Sequence, residues 1–200
     1  MRIGRAALYS EIMNAMSHHR QPSQLAVLEA ELDEATARAH RLVESLPTDG
    51  WARRPAPERW SPGEQIVHLN LASRSYLPLL RDAIVRGRER GLSGEGPYRR
   101  DFLGWLLARM TEPPVRLRVK TTAQFIPQAA LAPPEEVMRE FDALQEEVKA
   151  VIREARGLAL DRLEVHSPFD PRIKYNAYSA LRLIPAHQRH HLWLAEKGLS

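Results

Sequence analysis

Four stretches of this chain place apolar residues every three or four positions, and each is bounded by residues that start or stop helices. In the first, about residues 24–46, Leu25, Leu28, Leu32, Ala35, Ala39, Leu42 and Leu46 share a face, with Ser23 as N-cap and Pro47 as the stop. The second opens in "WSPGEQIVHL". Ser61 is its N-cap, Pro62 takes the first helical position and Glu64 stands where a capping box requires it. Ile66, Leu69, Tyr76, Leu80 and Ile84 carry its stripe toward Gly87 or Arg90, and Pro78 predicts a kink. The third follows Pro133-Pro134, with acidic residues in its first turn, a stripe of Val137, Phe141, Leu144, Val148, Val151 and Ile152, and Gly157 as its stop. The fourth runs from about Ala177 to Lys197, contains Pro185 and ends at Gly198.

Helices of roughly 20–25 residues are about 30–38 Å long, a length suited to a bundle. The predicted fold class is therefore all-α, a four-helix bundle with a long, elaborated connection between the second and third helices. That connection has room for a short helix over Phe102–Met110, in the apolar "FLGWLLARM", and "RLRVKTTAQF" (residues 116–125) is expected to be extended. Apolar residues make up 44% and charged residues 27%, ordinary for one globular domain of 200 residues. Residues 1–21 are read as an extension outside the domain of residues 22–200, either disordered or upstream of a start at Met13 or Met16.

Composition excludes several functions. The net charge of +4 is a mild excess in a well-mixed sequence, so no nucleic-acid partner is expected. No stretch approaches the roughly 18–20 apolar residues of a membrane span, and no membrane association is expected. With no cysteine, disulfides, thiolate metal sites and cysteine nucleophiles are ruled out, and a cytoplasmic location is expected. Any metal must be held by His, Asp or Glu, and any thiol must arrive with a substrate.

Three histidines crowd "AHQRHHLWLA". His187 and His191, four apart, lie about 40° from one another around a helix, so both rings can reach one divalent ion. The same spacing occurs on helices whose histidines face solvent or a core. His190 points about 100° from His191 and is read as a surface or supporting residue. His40 is read as a satisfied helix residue; His18, His19 and His166 receive no role. His68 sits between Val67 and Leu69, within the apolar stripe of the second helix. Joined to the pair on the fourth helix, it would complete a three-nitrogen site with an open side.

Together, "RWSPGEQIVHL", "SPF" at Ser167–Phe169 and "AHQRHHLWLA" resemble the DinB-like superfamily of metal-binding four-helix bundles. Trp60, Ser61, Glu64, His68 and Leu69 match the family's Trp-Ser-x-x-Glu-x-x-x-His-Leu helix start. His187, His191 and Leu192 match its terminal His-x-x-x-His-Leu helix, and "FIPQAALAPPEEV" is similar to its loop into the third helix. One departure is Leu194, where such chains often carry Gln. The resemblance covers roughly residues 22–197. It implies an up-down-down-up bundle, metal ligands at His68, His187 and His191, and a homodimer. It also implies one of two destinies, thiol-dependent transfer or isomerisation, or membership of the family's uncharacterised majority.

Three neutral imidazoles would leave the charge of the ion uncompensated, lowering the pKa of a bound water or thiol. The expectation is an enzyme acting on a small molecule, either a hydrolase or a thiol-dependent S-transferase. Its cofactors would be a divalent zinc, nickel or iron ion and, for transfer, a low-molecular-weight thiol such as bacillithiol or mycothiol. The alternative is a non-catalytic metal-binding or interaction protein. Glu64, one turn before His68, is the candidate catalytic base, although capping alone also explains it. Arg189 is read as a surface charge that could meet an anion. Arg86, Arg88, Arg90, Arg99 and Arg100 are read as a solvated group, and Phe102 and Trp105 as packing the connector or lining a pocket.

Overall fold

The computed structural model describes residues 22–114, 121–128 and 130–198. The N-terminal extension, with His18 and His19, lies outside the described residues, as do residues 116–120 of the segment expected to be extended.

Five α-helices dominate the described residues: α1 (Gln24–Glu44), α2 (Pro62–Glu89), α3 (Phe102–Thr111), α4 (Pro134–Glu154) and α5 (Ala177–Lys197). The helix ends follow the local chemistry. The hydroxyl of Ser23 accepts from the Ala26 amide, and Ser61 and Glu64 form a complete capping box ahead of Pro62. Asp101 caps α3 and Asn176 caps α5 through their side-chain oxygens. Pro78 is exposed, and α2 runs on through it; its missing N–H leaves the carbonyl one turn earlier on the solvent side, where water can bond it. Gly157, just past α4, has φ +80°, a left-handed conformation that favours glycine.

The all-α expectation holds broadly with one addition, and the extended segment is corrected. The chain is mostly helical but carries a small antiparallel sheet, β1 (Glu164–His166) paired with β2 (Lys174–Asn176). Val165 opposes Tyr175 on its buried face, while Glu164, His166 and Lys174 are exposed. The described end of the supposed extended segment forms a 3-10 turn at Ala123–Phe125 instead, because Phe125 turns inward and is fully buried.

Both α1 and α2 pack against α4 and α5, and α3 packs against α5. One apolar cluster gathers Leu28, Leu32, Leu80, Val148, Val151 and Leu181; another gathers Ala39, Ile66, Leu69, Phe141 and Leu192. Each buried Leu or Ile contributes about 1.5–3 kcal/mol relative to an exposed one. Between α1, α4 and α5, Gln145 and Gln188 exchange amide hydrogen bonds of 3.2 and 2.6 Å, and Gln145 also donates to the Leu32 carbonyl at 3.1 Å. Phe102 and Trp105 are 74% and 43% exposed, with ring centroids 6.0 Å apart. The inner face of α3 buries Gly104 and Ala108, and at Gly104 a Cβ would overlap Ser179 of α5.

Candidate metal centre

The start of α2 is fixed from outside the helix. The connector after α1 folds back so that the Trp51 carbonyl accepts from the Gly63 amide at 3.0 Å and the Trp51 indole donates to the Ala132 carbonyl at 3.0 Å. A Cβ at position 63 would come within 2.6 Å of the Trp51 ring, so the close approach requires glycine. Arg54 adds a bidentate ion pair to Glu64, whose carboxylate also accepts from the Ser61 amide at 2.8 Å. Burial alone pushes the Glu64 carboxyl up, but Arg54 and Ser61 outweigh it and hold it below the ordinary carboxylate range.

One turn further on, His68 enters the interior, 2% exposed, opposite His187 and His191 of α5. One ring nitrogen from each of the three lies within 4.8 Å of the others. The Nε2 atoms of His68 and His187 are 3.3 Å apart. Two nitrogens bound tetrahedrally at about 2.0–2.1 Å would stand about 3.3 Å apart, so this pair already has the required spacing.

The far sides of two rings establish which nitrogens are available. His68 Nδ1 lies 2.8 Å from the Phe125 carbonyl oxygen. A carbonyl only accepts, so the proton sits on Nδ1 and Nε2 keeps its lone pair. His191 Nδ1 lies 2.6 Å from Gln65 Oε1, with the same consequence. Metal-ligating histidines characteristically donate their second N–H in this manner. The donor set, buried and free of carboxylates, therefore fits a divalent ion that accepts nitrogen ligands.

Desolvation favours the neutral rings. It lowers the pKa of His68, and together with the neighbouring histidines it holds His187 and His191 well below the ordinary imidazole range. Aromatic rings wall the cluster. Trp60 lies 4.9 Å from His68 between ring centroids, Phe169 of the "SPF" loop lies 5.4 Å from His187, and Phe125 and Phe169 meet at 4.4 Å. His187 is the least buried of the three histidines.

The remaining candidates lie elsewhere. His190 bonds the Thr111 carbonyl at 3.0 Å and ties α5 to the end of α3. His40 pairs with Asp142 at 2.9 Å, and His166 bonds the Pro171 carbonyl at 2.7 Å. Arg189 is not a free anion site, since Glu31 and Glu112 both engage it. Arg86 and Arg88 donate to the carbonyls of Glu164 and Glu154. Sequence reasoning missed Gln65 and the Phe125 carbonyl. Gln65, three residues before His68, could have been found from helical spacing; a backbone oxygen leaves no trace in residue identity.

A family model described as the DinB superfamily matches residues 31–195, a span that includes all three histidines. Neither a curated protein nor a solved structure matches the chain.

Proposed function

The chain belongs to the DinB superfamily, and from that premise we propose that it is a divalent-metal-dependent enzyme in which His68, His187 and His191 hold the ion. The observation that carries this reading is the pair of imidazoles, His68 and His191, whose outer nitrogens are engaged by acceptors so that the inner ones converge with His187. Held by three neutral rings, a zinc, nickel or iron(II) ion would act as a Lewis acid and lower the pKa of a water or thiol toward neutrality. The chain itself orients the rings, excludes bulk water with Trp60, Phe125 and Phe169, and leaves the side of His187 the more open. The reaction is hydrolysis or thiol-dependent S-transfer on a small molecule, in the cytoplasm and without nucleic acid. A low-molecular-weight thiol is the second cofactor in the transfer case.

The bundle is read as up-down-down-up, which the side-chain pairs between helices support. His40–Asp142, Asp33–Lys149 and Glu29–Arg153 ascend α4 while descending α1. Arg74–Glu140 and Arg81–Glu147 ascend α2 and α4 together, and Glu31–Arg182 and Arg38–Glu196 ascend α1 and α5 together. Such pairs contribute little energy but report register. A homodimer belongs to the same reading; the exposed Phe102, Trp105 and Met110 on α3 favour it.

Glu64 is the sequence candidate for general base. With both oxygens engaged by Arg54 and one by Ser61, it is better suited to anchoring α2 than to taking a proton. That the cluster holds no free carboxylate among the described residues favours the second reading, a metal-binding protein without catalysis. Assaying the metal-loaded protein against electrophiles, with and without added thiol, and against hydrolysable esters and amides separates the two. Turnover abolished in His187→Ala supports the enzyme; metal bound tightly with no turnover on any panel supports the second reading.

A further inference from the structure

We propose that Gln65 is a positioning residue of the metal centre: its side-chain oxygen accepts the Nδ1–H of His191 and so turns Nε2 of that ring toward His68 and His187. The inference rests on the metal reading above and assigns the part played by a residue at a variable position of the motif that carries it.

The two orienting contacts differ in kind. His68 is held by a backbone carbonyl that a 3-10 turn supplies, whereas His191 is held by one side chain. Gln65 stands three residues before His68, on the face of α2 that meets α5, and is 5% exposed. Its oxygen lies 2.6 Å from Nδ1 of His191. Which end of the amide meets the ring decides the tautomer. An oxygen there keeps the proton on Nδ1 and leaves Nε2 free to ligate; an amide N–H there would move the proton to Nε2 and block it. Among the described residues no hydrogen bond reaches Nδ1 of His187, which is held by contact with Phe169 and its neighbouring histidines. The centre thus has two oriented rings and one freer ring. Loss of Gln65 would leave two freer rings, whereas a merely space-filling Gln65 would be replaced by Leu with no effect on ring orientation or affinity.

The test uses the full chain with Gln65→Leu, Gln65→Ala and Gln65→Glu. Nitrogen-15 shifts of the His191 ring, recorded without metal at a pH where it is neutral, report the tautomer. Competition with a chromogenic chelator reports zinc affinity. The expected result is an Nδ1-protonated ring in the parent and in Gln65→Glu, a shift toward the other tautomer in Gln65→Leu, and zinc binding weakened about 10–100-fold in Leu and Ala but restored in Glu. If one of the apolar variants does not fold, the other carries the comparison. Unchanged tautomer and affinity in a folded Leu or Ala variant would overturn the assignment. A parent that binds none of zinc, nickel or iron(II) overturns the metal reading and the metal-centre role with it, and the tautomer shift then tells separately whether Gln65 orients the ring.

Discussion

At Glu64 burial and hydrogen bonding pull in opposite directions, and hydrogen bonding wins, so the carboxyl ionises below its ordinary value of 4.5. The sign of its contribution follows. Stability from this group is fully present above the ordinary carboxylate range and is lost as pH falls through the lowered folded value. Glu64→Gln should destabilise the protein at pH 7 by about 1–3 kcal/mol, because a buried amide and an arginine lose their charged acceptor. The gap between the parent and the variant should narrow as pH falls below about 4.5. Denaturant titrations at pH 7 and pH 4 measure it, and a gap that does not change with pH would contradict the account. Arg54 is half in solvent, so Arg54→Ala should cost less than Glu64→Gln.

The elements are held by shape as much as by area. Gly104 lets α3 lie directly on Ser179 of α5, and a Cβ there would overlap that side chain. Gly104→Ala should cost about 1–3 kcal/mol, read from the thermal midpoint, while Ala at exposed Met110 should cost little. The buried Gln145–Gln188 pair supports a further expectation. Gln188→Leu should be destabilising because it takes the donor from the buried side-chain oxygen of Gln145, whose Nε2 keeps the Leu32 carbonyl and Thr36 hydroxyl; adding Gln145→Leu should recover part of the loss, so a double-mutant cycle should show clear coupling. Additive effects would mean that the two amides act independently. These elements were legible in unequal measure. The limits of α2 and α5 followed from Ser61-Pro62 and from Gly198, because capping is local chemistry that residue identity reports. The β1–β2 hairpin did not, because three-residue strands give too little alternation to detect. Of the centre itself, the histidines were readable from helical spacing. The Phe125 carbonyl was not, since it arrives from a turn 57 residues away.

For the whole molecule, among the described residues no helix is long and apolar enough to cross a membrane. The exposed apolar face of α3 is the feature least suited to a lone chain in water. Sedimentation equilibrium should find a homodimer that Phe102→Ser with Trp105→Ser shifts toward monomer; a parent that is monomeric throughout the concentration range would contradict the dimer. The long helices matter to function because they bring His68 of α2 against His187 of α5, 119 residues away, and against His191 one turn further on. Whether that meeting makes a metal centre is settled most directly by elemental analysis of protein purified without a histidine tag, beside a His68→Ala, His187→Ala variant. Near-stoichiometric zinc, nickel or iron is expected in the parent and none in the folded variant. Metal absent from the parent even after reconstitution, or retained equally by the variant, would contradict the metal reading.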